Sequence, residues 1–147
     1  MKISQQGIDL IKRFEGFRSK PYQDSVGVWT IGYGTTRGVT ANTQEITEAE
    51  GERMLHEAVE ADEQHLALFL PKTLTQEQHD AICSFVYNLG VAAFRNSTLF
   101  RVIVATPGDS ARITAEFGRW VYAGGKKLDG LVARRAAEAE LYCKGIR

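Results

Sequence analysis

The stretch RFEGFRSKPYQDSVGVWTIGYGTT, from Arg13 to Thr36, is where a helical pattern gives way to a glycine-rich segment. Before it, apolar residues recur at helical spacing behind Ser4, which can cap a helix. Within it, aromatic and β-branched residues alternate with glycines, which predicts two or three short antiparallel strands from about residue 20 to 39. Two carboxylates, Glu15 and Asp24, flank the change of pattern. The stretch therefore predicts a helix followed by small β structure, with two acids near the junction.

Glu15 is expected to be the last residue of the first helix, because Gly16 is a natural helix stop. A carboxylate at the C-terminal end of a helix is unfavourable for the helix dipole. This mild conflict hints at a functional reason for placing an acid there.

The rest of the chain carries helical patterns separated by clear start and stop signals. Capping boxes at Thr47 and Thr75 begin two of them, the first running to about Leu70 and the second to a stop at Gly90. Three more helices are expected, from Asn96 or Ser97 to Val104, from Asp109 or Ser110 to about Trp120, and from Leu131 to Lys144, with a loop over residues 123–130. This order predicts one α+β domain over residues 1–147.

The expected parts of that domain are a small antiparallel β lobe, a connecting helix and a larger helical lobe, with a cleft between the lobes. The β lobe covers about residues 16–46 and the connecting helix about residues 47–70. The helical lobe covers about residues 71–147 and includes the N-terminal helix.

Charge is balanced overall but uneven along the chain. The 147 residues have a formal net charge of zero, so no general attraction to nucleic acid is expected. Residues 41–70 hold eight acidic side chains and one arginine, and residues 111–147 hold eight basic and four acidic side chains. We expect a solvated acidic helix and a basic surface segment; the alternative is that the basic segment lines a cleft for a polyanion.

Cysteines, histidines and the N-terminus indicate no special chemistry. Cys83 and Cys143 are too few for a disulfide framework, so free thiols are expected. His56, His65 and His79 lack metal-ligand spacing and are expected at the surface, so we expect no metal and no cofactor. The first residues lack the apolar run of a signal peptide or membrane anchor, which predicts accumulation in the cytoplasm and no membrane insertion.

Two carboxylates near one cleft suit glycosidic bond cleavage, which needs one protonated and one ionised group. Apolar neighbours of Glu15 favour its neutral form, whereas a polar turn favours an ionised Asp24. Thr30, on the next strand, can hold a water beside Asp24. By spacing alone this signal is weak, because two acids nine positions apart are common, and solvated charges of a loop and a helix end remain the favoured interpretation.

The complete string closely resembles the signature of phage-type lysozymes, the endolysins of glycoside hydrolase family 24. That signature is a glutamate at the end of the first helix followed by Y-x-D-x-x-G-x-x-T-I-G-x-G. Every element is present, at Glu15, Tyr22, Asp24, Gly27, Thr30, Ile31, Gly32 and Gly34. Later segments are also similar to the family pattern, namely FVYNLG (85–90), FRNSTL (94–99), RW (119–120) and GLVARRAAEAELY (130–142).

The resemblance implies a lysozyme-like fold and muramidase activity on peptidoglycan. It implies that Glu15 is the general acid and that Asp24 with Thr30 orients a water, which predicts inversion at the anomeric carbon. Substrate contacts are implied at Gly34, Thr36, Tyr87, Asn88 and Ser97. One departure is Thr35, where many members have histidine; we expect changed packing or pH behaviour rather than lost activity.

The implied biological role is lysis of a bacterial host by a monomer that crosses a holin-permeabilised membrane to reach the periplasmic cell wall. Two alternatives stay open, a catalytically silent murein-binding domain and a lytic transglycosylase. Arg134 and Arg135 fit charges on the surface of the last helix, and the alternative is that one of them pairs with Glu15.

Overall fold

The computed structural model describes all residues from 1 to 147 and contains seven helices and four short strands. In chain order they are α1 (Gln5–Glu15), β1 (Arg18–Gln23), β2 (Trp29–Gly32), α2 (Glu48–Leu66), α3 (Gln76–Leu89), α4 (Val91–Arg95), α5 (Thr98–Ala105), α6 (Ser110–Phe117), β3 (Tyr122–Ala123), β4 (Lys126–Lys127) and α7 (Asp129–Lys144). The predicted α+β class is confirmed.

The glycine-rich stretch forms one antiparallel hairpin of β1 and β2. Tyr22 lies opposite Thr30, and the register shifts between Arg18 and Tyr22. A further strand is reduced to a single bridge between Ile31 and Thr35. Of the two or three strands predicted, two form the hairpin, which starts at residue 18 rather than near residue 20.

Both predicted capping boxes are present. The hydroxyl of Thr47 accepts a hydrogen bond from the Glu50 amide, and that of Thr75 accepts one from the Gln78 amide. The first of these helices, α2, ends at Leu66 and not at Leu70. The amides of Leu68 and Phe69 donate to carbonyls three residues back, those of His65 and Leu66, so the chain tightens into turns.

The segment after α6 differs from its predicted loop. Gly124 and Gly125 have φ values of +57° and +77°, the combination required at the centre of a tight two-residue hairpin turn. Tyr122 pairs with Lys127 across this turn, and α7 then starts at Asp129. The loop prediction for residues 123–130 was wrong because the glycine pair is also a hairpin signal. The short helix α4 was missed as well.

Helix α3 is the centre of the core. Nine consecutive residues, 78–86, are buried, because α3 packs against α1, α2, α4 and α7 at once. The ring of Phe85 meets those of Phe94, Phe117 and Trp120 edge-on, with centroids 5.5 to 5.9 Å apart. Such an arrangement adds to the stabilisation from apolar burial. The helix that carries Tyr87 and Asn88 is therefore held rigidly.

The N-terminal segment is tied to this core by polar contacts. Ser4 was expected to cap α1, but its hydroxyl donates to the Asp80 carboxylate and makes no capping bond. The amide of Ser4 donates to the same carboxylate at 2.9 Å. Asp80 is fully buried, so these bonds also satisfy its charge.

Both cysteines are free thiols, as predicted, with Cys83 buried. None of the helices combines the length and apolarity needed to cross a lipid bilayer.

Candidate active site

Glu15 ends α1 and is held there by a buried arginine. The amide of Gly16, with φ of +68°, donates to the Lys12 carbonyl and stops the helix as predicted. The Nη1 atom of Arg134, on α7, donates to Oε2 of Glu15 at 2.7 Å. The Arg134 side chain is 4% exposed and that of Glu15 is 19% exposed. The expectation of a surface position for Arg134 was wrong, because this side chain fills the space between α1, α3 and α7.

A second buried acid, Glu138, contacts Arg134 within α7. Oε2 of Glu138 lies 3.4 Å from Nε of Arg134 and accepts hydrogen bonds from Arg135 at 3.1 Å and from Ser84 at 2.5 Å. Arg134 also donates to the Ser84 carbonyl at 3.2 Å. Arg135 is 1% exposed, so its expected surface position was wrong as well. Burial raises the pKa of Glu138, and the two guanidinium groups oppose that shift.

The other carboxylate oxygen of Glu15 faces Gly34. A Cβ atom built on Gly34 would lie 2.5 Å from Oε1 of Glu15, and the φ of Gly34 is +85°. A side chain is therefore excluded by both space and backbone conformation. The preceding residue, Tyr33, is anchored by a 2.7 Å bond to Glu48 and by a 2.5 Å bond from the Tyr87 hydroxyl to its carbonyl. The strand end thus holds Gly34 against the carboxylate.

Five buried side-chain atoms lack a hydrogen bond of good geometry; three belong to the ion pair of Arg135 and Glu138, and the other two belong to Thr35, next to Gly34, and Asn88, next to Tyr87. Oγ1 of Thr35 and Oδ1 of Asn88 are buried, and neither has a hydrogen bond of good geometry within the chain. Burial raises the pKa of Tyr87 and the charge of Glu15 raises it further, whereas the Thr35 hydroxyl and Arg134 act in the opposite direction. Glu15, Thr35 and Tyr87 therefore share one electrostatic environment. Buried polar atoms without partners are uncommon and mark positions for water or a ligand.

Asp24 and Thr30 meet through one residue in the β1–β2 hairpin. Oδ1 of Asp24 accepts hydrogen bonds from the amides of Val26 at 3.0 Å and Val28 at 2.8 Å. The Val28 carbonyl accepts from the Asp24 amide at 2.9 Å and from the Thr30 hydroxyl at 2.9 Å. The second oxygen of Asp24, Oδ2, receives no hydrogen bond from the chain. The turn therefore fixes one oxygen and leaves the other free.

The predicted substrate residues fall into two groups. Gly34 lies against Glu15, and Tyr87 is near enough to feel its charge. Asn88 follows Tyr87 in the chain, and Thr36 is exposed on the loop beyond Gly34. Ser97 is 4% exposed, and its hydroxyl donates to the Phe94 carbonyl and accepts from the Phe100 amide. The hydrogen bonds of Ser97 are thus used to cap α5. It lines a separate cavity of about 280 Å³ with Trp120.

The sequence did not predict that Ser84 and Glu138 contact Arg134 beside the site. One signal was available, because Glu138 follows Arg134 and Arg135 by four and three residues, the spacings at which helical side chains meet. A carboxylate at such spacing indicates a local ion pair, but it does not indicate burial.

Comparison with known proteins gives a consistent result. The Phage lysozyme family model matches residues 12–138. The endolysin of Acyrthosiphon pisum secondary endosymbiont phage 1 is 42% identical over 146 residues, which cover 97% of this chain and 98% of the relative. The endolysin of Bacillus phage PZA is also 42% identical, over 99% of this chain, but the match spans 56% of that relative's length. A SAR-endolysin of Bacteriophage PS119 is 37% identical over 86% of this chain and 75% of its own length.

A solved structure of similar sequence has the same fold. The muramidase domain of SpmX from Asticaccaulis excentricus superposes with a TM-score of 0.84 at 31% identity, covering 96% of this chain and 97% of that chain. The family match extends over most of the chain and the first relative is matched almost end to end. The chain therefore belongs to the phage lysozyme family.

Proposed function

We propose that this chain is an endolysin that hydrolyses the β-1,4 bond between N-acetylmuramic acid and N-acetylglucosamine, with Glu15 as general acid and with Asp24 and Thr30 positioning water. Family membership makes the chain a peptidoglycan-degrading glycoside hydrolase. The observation that carries the assignment of Glu15 is the way its two oxygens are divided, Oε2 against buried Arg134 and Oε1 against Gly34.

That division suits a proton donor. A general acid must aim one oxygen at the leaving group and hold it there. Arg134 fixes the carboxyl group through Oε2, and the network of Ser84 and Glu138 keeps the guanidinium in place. Oε1 then remains for the glycosidic oxygen, on the side where Gly34 presents no side chain.

The Asp24–Thr30 pair suits a water held as nucleophile. The Thr30 hydroxyl donates its hydrogen bond to the Val28 carbonyl, so it can only accept a hydrogen bond from a water. The free oxygen of Asp24 is an acceptor too. A water that donates one hydrogen to each group keeps a lone pair for the sugar. This arrangement supports direct attack by water and inversion at the anomeric carbon, for which acid and base carboxyls are typically about 6.5–9.5 Å apart.

The experiment is digestion of purified murein by the parent and by Glu15→Gln, with Glu140→Gln as a control on an exposed acid of α7. We expect Glu15→Gln to stay folded and bound to murein while its rate falls at least 10²-fold, the usual scale of acid catalysis. The anomeric form of fresh product, followed by NMR, should be inverted. Near-normal digestion by folded Glu15→Gln would remove the acid from the scheme, and retained configuration would point to a covalent route.

Two alternative functions give different products. A lytic transglycosylase leaves anhydro-sugar ends, which mass spectrometry separates from the reducing ends left by hydrolysis. A silent murein-binding domain releases nothing and leaves the turbidity of permeabilised Gram-negative cells unchanged. Hydrolysis is favoured because the Thr30 hydroxyl and the free oxygen of Asp24 offer two acceptors for an attacking water.

We extend the substrate site to Gly34, Thr36, Tyr87, Asn88 and Ser97. The unpaired Oδ1 of Asn88 is suited to accept a hydrogen bond from a sugar hydroxyl or amide, since it has no partner inside the chain. Ser97 contributes through the cavity it lines rather than through its hydroxyl, which is already bonded twice. Asn88→Ala should therefore raise KM more than Ser97→Ala, and equal KM values would remove Asn88 from the site.

Delivery to the wall is proposed to follow accumulation as a monomer in the host cytoplasm, with release through a holin-permeabilised membrane. The likeness to a SAR-endolysin supports the competing route without a holin. Expression without a holin separates them: lysis only after chloroform favours the first route, and spontaneous lysis favours the second.

A further inference from the structure

Helix α2 contacts Tyr33 through Glu48 at its start. Near its other end, three side chains of different chemistry lie close together. They are Glu63 near the end of α2 and His79 and Cys83 on α3. Nε2 of His79 lies 2.6 Å from Oε2 of Glu63 and 3.4 Å from Sγ of Cys83. All three donor atoms lie within 4.8 Å of one another. His79 is 6% exposed, so its expected surface position was wrong.

We propose that Glu63, His79 and Cys83 form a binding site for a borderline-soft divalent metal ion, of which Zn²⁺ is the best match. A carboxylate oxygen, an imidazole nitrogen and a thiolate sulfur are the three donor types that zinc uses in proteins. Three protein donors leave a fourth tetrahedral position for water. The proposal is independent of the catalytic assignment, since none of the three residues belongs to the site around Glu15.

The helical geometry explains why the donors converge. His79 and Cys83 are four residues apart on α3, so their side chains lie on one face. That face packs against α2, which presents Glu63 to it. The histidine spacing in the sequence could not reveal the cluster, because one donor comes from another helix and another is a cysteine.

One of the two distances from His79 is close to that of a tetrahedral site, and the other must lengthen. With Zn–N of about 2.0–2.1 Å and Zn–S of about 2.3 Å, tetrahedral angles put nitrogen and sulfur roughly 3.6 Å apart, against the observed 3.4 Å. Nitrogen and oxygen would be roughly 3.4 Å apart, against 2.6 Å. The ion would therefore replace the proton shared by His79 and Glu63, the carboxylate would swing outward, and the thiol would lose its proton.

An entry path exists for the ion. Glu63 and His79 line a cavity of about 190 Å³ together with Met1, Leu66, Lys72 and Leu74. A cavity of this size has room for a metal-bound water. Glu63 also accepts a hydrogen bond from the Ile3 amide at 2.7 Å. A bound ion would thus connect the N-terminal segment, α2 and α3, and a ligand held only by the folded state raises Tm.

The first test is titration of reduced, chelator-treated protein with Co²⁺, which reports thiolate ligation through a charge-transfer absorption. We expect this band to saturate near one equivalent and to disappear when Zn²⁺ is added. Zn²⁺ should also raise the Tm of the parent. Absence of the band in the parent would overturn the proposal and leave Glu63 and His79 as an ion pair beside an inert thiol.

Matched variants identify the ligands. Cys83→Ser changes the shape of the side chain little, and Cys143→Ser removes the other thiol, which lies half-buried on α7. We expect Cys83→Ser to lose the cobalt band and to weaken Zn²⁺ binding at least ~100-fold, since even outer partners of a zinc site typically contribute 10–100-fold. Cys143→Ser should match the parent. Glu63→Gln provides a second variant at the open side of the cluster, where Zn²⁺ should no longer raise Tm. A band that survives in Cys83→Ser would overturn the proposal.

Discussion

Arg134 and Glu15 are joined by a 2.7 Å hydrogen bond between Nη1 and Oε2, although 119 positions separate them in the chain. The bond links the last helix to the end of the first. Since Arg134 is 4% exposed and contacts a second acid, Glu138, the pair is part of a buried charge network rather than a surface ion pair.

This burial predicts a measurable coupling in a double-mutant cycle. Glu15→Gln and Arg134→Gln should show an interaction free energy of about 0.5–3 kcal/mol in urea unfolding, the range for residues of one network. Arg134→Gln alone should cost about 3–5 kcal/mol, because it leaves buried carboxylates without a partner.

The control cycle uses Arg53 and Glu57, an ion pair on α2 with side chains 62% and 65% exposed. Its coupling should be only about 0.3–0.5 kcal/mol, as for exposed pairs one helical turn apart. Equal coupling in the two cycles would contradict the structural importance of the Glu15–Arg134 bond.

Gly34 is predicted to be required for the position of Glu15. In Gly34→Ala the new Cβ would lie 2.5 Å from Oε1, so the carboxyl group must move, and a displacement of about 1 Å can reduce a rate ~10²-fold. The positive φ adds a stability cost of about 1–2 kcal/mol.

Gly38→Ala separates the two effects. Gly38 also has a positive φ, of +72°, but its Cβ would meet nothing within 4 Å. Both variants should lose stability in urea unfolding, Gly34→Ala at least as much as Gly38→Ala because it also displaces the Glu15 carboxyl group, whereas only Gly34→Ala should lose murein hydrolysis. A similar loss of activity in Gly38→Ala would show that backbone strain, and not the contact with Glu15, is responsible.

The local parts of this arrangement were predictable from sequence. Gly16 ends α1 after Glu15, and the capping boxes at Thr47 and Thr75 begin α2 and α3, because each signal acts within four residues. The loop predicted at Gly124 was wrong because the same residues fit a loop and a tight hairpin, and only strand pairing separates the two.

Long-range contacts were not predictable in the same way. The sequence offered Arg134 and Arg135 equally as partners for Glu15, because adjacent helical residues differ by about 100° in direction and the rotation of α7 is set by its packing on α3. That rotation turns Arg134 towards Glu15 and places both arginines within reach of Glu138.

Glu138 is predicted to make a large contribution to stability. Glu138→Gln would leave Arg135, which is 1% exposed, without a charged partner, so the free energy of unfolding should fall by about 3–5 kcal/mol. Glu140→Gln, two residues on, removes an exposed acid that lies 3.8 Å from Lys144 and should change stability by less than about 0.5 kcal/mol. Chemical denaturation of both variants provides the measurement. Comparable losses would mean that Arg135 finds another partner.

Tyr142 is predicted to make stability fall at high pH. Its side chain is fully buried and its hydroxyl donates to the Pro107 carbonyl at 2.9 Å. Burial raises the pKa of Tyr142 from 10.0 to about 12. Between these values the folded state keeps a proton that the unfolded state loses, so the free energy of unfolding decreases as pH rises. The stabilisation is complete below pH 10 and is lost as pH rises through about 12.

The variant that tests this is Tyr142→Phe, which has no proton to lose at that position. At pH 8 it should be less stable than the parent by about 1 kcal/mol, the usual net contribution of a hydrogen bond. The parent's advantage should shrink as urea unfolding is repeated from pH 9 to pH 12, because only the parent gains an ionised Tyr142 on unfolding. Tyr33, whose pKa burial also raises to about 12, contributes equally to both proteins and cancels in the difference. Parallel stability curves for the parent and Tyr142→Phe across this range would show that folding does not raise the pKa of Tyr142.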